Sequence, residues 1–261
     1  MRELLPIPEQ YTVPCEHPGT LKTLRIPDYS DATVYLPFGY EKGELHYPTF
    51  YLLHGGGGDE HSFFSEDGVL KNMLDHMIEA KELKPLIVVA PTYYPPGKKI
   101  EGVEYATEVV RDFGPLLQSR IVQYVEKKYR TGGDRMKRGI GGFSMGAVAT
   151  WFVMLAGLEQ FHWFLVMSGD CWICGEMGGG KHPKQTAEVM AATLRGEKYK
   201  AFVVTGDQDI AFPNLDPQMQ AMKAIPDVYR KNVKYTVMKG GVHDYPDMRR
   251  YLYNFLPKLF K

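Results

Sequence analysis

The sequence predicts an α/β fold with a mostly parallel central sheet and helices on both faces. Two observations carry this. From Thr49 onward, short apolar runs end in Gly, Pro, Ser or Asp, and segments of helical period alternate with them. The chain also has 261 residues, 44% of them hydrophobic, which suffices to bury a sizeable core without disulfides or metal. A single domain over residues 1–261 is expected, because no linker, internal repeat or low-complexity stretch divides the chain.

Before Thr49, Pro6, Pro8, Pro14, Pro18, Pro27 and Pro37 disfavour long helices. Short strands fit at 21–26 and 32–36, separated by the turn-forming Pro27-Asp28-Tyr29-Ser30. The later apolar runs predict strands at 50–53, 86–90, 139–143, 163–167, 201–205 and 235–238. Helices are expected near 69–80, 114–129, 145–158, 184–194, 217–229 and 246–260. In the second of these, Leu117, Ile121, Val125 and Tyr129 recur every four positions and give one apolar face. In such an alternation the functional loops lie at the carboxyl ends of the strands.

The 31 basic residues cancel the 31 acidic ones, so the chain has no uncompensated cationic surface for nucleic acid or an anionic membrane. The longest apolar run, around residues 151–158, falls far below the ~18–20 residues of a membrane span. The first residues lack the pattern of a signal peptide, so the protein is expected to be intracellular or to have had an export signal removed. Cys15, Cys171 and Cys174 are too few for a disulfide framework. Cys171-Trp172-Ile173-Cys174 has the spacing of a redox or metal pair, with His162 and His182 nearby in sequence. A second such pair and a thioredoxin-like context are missing, so no metal or cofactor is expected. The sequence sets no oligomeric state.

Gly142-Phe143-Ser144-Met145-Gly146 fits the nucleophile-elbow pattern between an expected strand and an expected helix. Its glycines flank a tight turn where side chains would clash, and the Met145 N–H falls at a helix start beside the Ser144 hydroxyl. Earlier in the chain, His54-Gly55-Gly56-Gly57-Gly58 follows a strand and resembles a loop that supplies a second oxyanion N–H, with Gly56 the preferred donor. A phosphate loop is disfavoured because no Gly-Lys-Ser/Thr follows. A serine nucleophile needs a base. His243, between the last strand and the last helix, is the best placed, while His17, His46, His61, His76, His162 and His182 read as structural and His54 as a brace for the glycine loop. The acid that orients the imidazole can be Asp207 or Asp209 after the strand at 201–205, or Asp170 after the strand at 163–167.

These residues resemble the feruloyl esterases of the esterase D-like branch of the α/β-hydrolases, including the esterase modules of clostridial cellulosomal xylanases. The likeness runs over nearly the whole chain. Besides the glycine loop and the elbow, it takes in Pro14-Cys15, Val34-Tyr35-Leu36-Pro37, Leu86-Ile87-Val88-Val89, Ser168-Gly169-Asp170, Asp209-Ile210-Ala211 and Arg250-Tyr251-Leu252-Tyr253. The resemblance implies an α/β-hydrolase fold, Ser144 as nucleophile, His243 as base and Asp209 as orienting acid, with no cofactor. It implies hydroxycinnamoyl esters of plant cell-wall polysaccharide or oligosaccharide as substrates, and a secreted location. A flat apolar slot for the aromatic acid is expected from Trp172 and Tyr245, with Tyr93, Tyr94 and Phe212 as further candidates. The chain departs from the pattern at Ala147, where a second glycine is common, and in the loop after Asp170. Alternative readings are an acetyl-xylan or other small-acyl esterase, an esterase D-like thioester hydrolase, and a non-catalytic carbohydrate-binding protein on a hydrolase fold.

Overall fold

A computed structural model describes residues 3–64, 67–95 and 103–261. Among the described residues, eight strands form one sheet in the order β1-β2-β4-β3-β5-β6-β7-β8: β1 (Thr20–Arg25), β2 (Asp31–Leu36), β3 (Thr49–Leu53), β4 (Ile87–Pro91), β5 (Arg138–Phe143), β6 (Trp163–Met167), β7 (Lys200–Gly206) and β8 (Val233–Met238). β2 pairs antiparallel with both β1 and β4, and the pairings from β4 through β8 are parallel. The strands match the expected ones within two residues at each end. The four inner strands β3, β4, β5 and β6 are buried along their whole length, and an uninterrupted apolar run bounded by turn residues marks such a strand well.

Helices cover both faces: α1 (Val69–Glu79), α2 (Val103–Leu116), α3 (Gln123–Lys128), α4 (Met145–Ala156), α5 (Gly178–Lys181), α6 (Pro183–Leu194), α7 (Phe212–Lys223), α8 (Pro226–Asn232) and α9 (Tyr245–Phe255). Alternate strand residues feed two cores. Tyr51, Leu53, Ile140 and Val166 pack with Phe113, Ile121, Trp151 and Met219 of the helices on one face. Phe50, Leu52, Leu165 and Val204 pack on the other with Met73 and Met77 of α1 and Tyr251 and Leu252 of α9. No helix among the described residues is long and apolar enough to cross a membrane.

Three helix expectations need correction. The helix expected at 114–129 begins at Val103 and runs through a π-helical stretch, Leu117–Val122, into α3. Pro115 thus lies near the end of α2 rather than in the first turn of a helix. A proline removes one intrahelical hydrogen bond, and the wider stretch that follows accommodates the break. The helix expected at 217–229 is two helices, because Pro226 opens α8 where its missing N–H costs nothing. The last helix stops at Phe255 and tightens into a 3-10 turn, Leu256–Lys258, around Pro257.

The start of the described chain is tied to α9. The Leu5 N–H donates to Asn254 Oδ1 at 3.0 Å and the Asn254 amide donates back to the Leu5 carbonyl at 2.9 Å. The Arg250 guanidinium donates to the carbonyls of Leu4 and Leu5.

Candidate active site

Ser144 joins β5 to α4 with φ +58° and ψ −119°, a left-handed conformation costly for a residue with a side chain. The flanking glycines make this turn possible. A Cβ at Gly146 would lie 2.2 Å from the Leu53 carbonyl oxygen and 2.5 Å from that of His54, and one at Gly142 would lie 2.3 Å from the Gly146 backbone. The Ser144 N–H is held by the Met167 carbonyl of β6 at 3.0 Å. Met145 begins α4, where the first N–H groups have no intrahelical acceptor and point outward.

Ser144 Oγ lies 2.9 Å from His243 Nε2, and His243 Nδ1 lies 2.7 Å from Asp209 Oδ1. Asp209 is buried, and its Oδ1 also accepts the Ala211 N–H at 2.7 Å. The imidazole rests on Phe143, ring centroids 4.6 Å apart. Asp209 follows β7 and His243 follows β8, and the two loops are laced together: Gln208 N–H donates to Gly241 O, and Gly240 N–H donates to Asp207 Oδ1. The side chain of Asp207 is thus engaged by backbone. Asp170 accepts Trp172 Nε1 at 3.1 Å and the Gly179 N–H at 2.9 Å, and burial pushes its carboxyl above the ordinary range. Of the three carboxylates that sequence leaves open, Asp209 is the one in contact with the imidazole.

The glycine loop leaves β3 beside the elbow. A Cβ at Gly55 would lie 3.5 Å from Ser144 Cβ, and one at Gly56 would lie 3.1 Å from Met145 Cγ. Gly57 N–H donates to the Tyr94 hydroxyl at 2.9 Å and Gly58 N–H to Gly55 O at 3.2 Å. Those two donors are occupied.

A cavity of about 130 Å³ opens at Ser144 and His243. Val148, Trp172, Met177 and Ile210 give it apolar walls, and Ser168, Asp170 and Asn214 supply polar groups. Trp172 is 9% exposed and held by its bond to Asp170, so it serves both cavity and core. Tyr245 does not line this cavity. As the first residue of α9 it turns toward the second core, with its ring centroid 5.8 Å from both Phe143 and Phe63. Tyr93 and Tyr94 contact the glycine loop instead, and Phe212 opens α7 outside the cavity lining.

Val148, Met177, Ile210 and Asn214 escape the sequence reading. Val148 stands one helical turn after Ser144 and Ile210 directly follows Asp209, so chain proximity to the elbow and the acid could have found them. Met177 and Asn214 arrive by packing of α5 on α7, where a Cβ at Gly180 would lie 2.3 Å from Asn214 Oδ1. The thiols of Cys15, Cys171 and Cys174 are free, and burial pushes that of Cys171 upward. Among the described residues no group of three or more His, Cys, Asp or Glu is arranged to hold a metal.

Residues 25–261 match the family model described as "Putative esterase". Endo-1,4-beta-xylanase Y of Acetivibrio thermocellus is 36% identical over 98% of this chain and 24% of its own length. An endo-1,4-beta-xylanase/feruloyl esterase of Xylanibacter ruminicola is 26% identical over 97% of this chain and 31% of its own. The chain therefore spans about a quarter to a third of the curated relatives it matches. Among solved structures, a serine-to-alanine mutant of the feruloyl esterase module from Clostridium thermocellum, complexed with sinapinate, superposes with TM-score 0.81 at 34% identity. That alignment covers 99% of this chain and 94% of the other.

Proposed function

The chain belongs to the esterase family, and on that premise we propose that it is a serine carboxylesterase releasing ferulic or related hydroxycinnamic acids from plant cell-wall polysaccharide such as xylan. The observation that carries this reading is the unbroken hydrogen-bond chain from Ser144 through His243 to buried Asp209, opening onto a cavity walled by Trp172. The relatives named for feruloyl esterase activity, and the one complexed with sinapinate, support the aromatic acyl group.

The chemistry rests on the geometry. His243 Nε2 takes the proton of Ser144 Oγ as that oxygen bonds to the ester carbonyl carbon. The negative oxygen of the tetrahedral intermediate is held by the N–H groups of Met145 and Gly56, each such donor typically being worth ~10²–10³ in rate. Asp209 keeps the proton on Nδ1 and stabilises the imidazolium. Collapse breaks the bond to the sugar oxygen, which leaves with the proton from His243. Water then repeats the cycle on the acyl-serine, and the acid departs without any cofactor.

The test is hydrolysis of methyl ferulate beside methyl acetate. Methyl ferulate is expected to have the higher kcat/KM, and Ser144→Ala to lose activity by on the order of 10⁴-fold or more while remaining folded. Faster acetyl hydrolysis would move the substrate to a small acyl group. Near wild-type turnover by Ser144→Ala would remove the serine mechanism.

A further inference from the structure

We propose that His54 and Tyr93 are positioning residues for the second oxyanion donor: by gripping the Gly55 carbonyl they aim the N–H of Gly56, in the same peptide unit, at the oxygen that becomes negative beside Ser144. This rests on the esterase reading above and adds to it the residues that set its electrostatics.

A run of four glycines has no side chains with which to hold its own conformation, and glycine has the most backbone freedom to lose. An oxyanion donor must nevertheless stand in place before the charge develops. The structure supplies the missing constraint from outside the run. Three donors converge on the Gly55 carbonyl oxygen: His54 Nδ1 at 2.7 Å, the Tyr93 hydroxyl at 3.0 Å and the Gly58 N–H at 3.2 Å. The peptide unit is planar and trans, so the N–H of Gly56 points opposite to the Gly55 C=O. Holding the oxygen away from the elbow therefore sets the direction of the N–H toward it. The same unit lies against Ser144 and Met145, as the close approaches at Gly55 and Gly56 show.

The hydrogen bonds also fix the tautomer of the gripping ring. A carbonyl can only accept, so Nδ1 of His54 bears the proton. Nε2 is then the acceptor, and it takes the Thr92 hydroxyl at 2.9 Å. Thr92 Oγ1 in turn accepts the Tyr94 N–H at 3.1 Å. His54 is 1% exposed, and its ring is stacked 4.3 Å from that of Tyr93. Burial depresses its pKa to about 4, so the ring is neutral at pH 7. Thr92, Tyr93 and Tyr94, consecutive after β4, thus each hold one part of the neighbouring segment: the His54 ring, the Gly55 carbonyl and the Gly57 N–H.

The experiment compares wild type, Ser144→Ala, His54→Ala, His54→Asn and Tyr93→Phe. Active sites are titrated with a fluorophosphonate so that rates refer to competent enzyme. For His54→Ala and Tyr93→Phe, kcat on methyl ferulate is expected to fall by up to the ~10²–10³ that one oxyanion donor supplies, with KM within about twofold. Affinity for a trifluoromethyl ketone, which forms a tetrahedral adduct, should fall in parallel, while inhibition by free ferulate stays unchanged. His54→Asn, whose amide can donate to the same oxygen, should recover most of the loss. A purely structural role would lower the number of titratable sites without this split. Wild-type kcat per titrated site in Tyr93→Phe and His54→Ala, or equal losses in tetrahedral-adduct and ferulate binding, would overturn the proposal. Tyr93→Phe removes one hydroxyl and keeps the test decisive if His54→Ala does not fold. An active Ser144→Ala would instead sink the esterase reading, so the two failures are distinguishable.

Discussion

Replacing Asp209 with Asn removes one charge and almost no volume, and the neighbouring backbone decides how the imidazole responds. Asp209 Oδ1 accepts from both His243 Nδ1 and the Ala211 N–H, each at 2.7 Å. The Ala211 N–H can only donate, so an asparagine in this place keeps its carbonyl oxygen there. The opposite orientation would set two donors against each other. His243 therefore keeps its proton on Nδ1 in the variant, and the loss is the attraction of the carboxylate for the imidazolium. That attraction exists only once His243 has taken the serine proton, so it belongs to the transition state and lowers kcat rather than raising KM. Opposite charges roughly 4 Å apart at an effective dielectric of about 20 attract by ~4 kcal/mol, which corresponds to ~10³ in rate. A loss nearer ~10⁴, the size found in the trypsin triad where the tautomer is disturbed, would mean that the amide had flipped despite Ala211. The assay is kcat and KM on methyl ferulate, with thermal unfolding to verify the fold. Asp207→Asn is the control, because that side chain holds the Gly240 N–H, and it should cost no more than about tenfold. A loss below about tenfold in Asp209→Asn, or a greater one in Asp207→Asn, would refute the reasoning.

Two further outcomes are expected. Gly146→Ala puts a Cβ 2.2 and 2.5 Å from two backbone carbonyls, so the elbow must shift, and displacement by ~1 Å can cost ~10² in kcat; wild-type turnover in a folded variant would contradict this. His54 ionises near 6.5 when unfolded and at about 4 when folded, so its neutral form contributes stability that is intact above pH 6.5 and lost as pH falls toward 4. The loss amounts to roughly 3 kcal/mol. Urea unfolding at pH 7 and pH 4 should show a steeper loss for wild type than for His54→Asn, and parallel losses would refute it. Asp170, whose raised pKa acts in the opposite direction, is present in both proteins and cancels in the comparison.

The sheet is legible in the sequence because its inner strands are apolar runs cut off by turn residues, and the chemistry lies where those cuts fall. Ser144, Asp209, His243 and the glycine loop all leave the same edge of the parallel strands, and a one-dimensional alternation suffices to place them there. Helix starts are harder to read. Gly114 and Pro115 look like punctuation, yet the π-helical stretch behind them lets one helix run through, and that is a tertiary accommodation without a local signature. The walls of the cavity are the least legible. Trp172 and Tyr245 attract attention on the same ground, as aromatic residues in or beside a strand-end loop. Their different fates depend on whether a ring turns toward Asp170 or toward Phe143. No spacing rule separates these two cases.

The bonds between residues 4–5 and α9 close the described chain nearly into a ring. Force applied across that junction would load a small clasp formed by Asn254 and Arg250, and the clasp would open before tension reached the parallel strands. β5, which bears the elbow, is flanked on both sides by β3 and β6. A load across this junction therefore meets the clasp first, while Ser144 stands on an interior strand away from it.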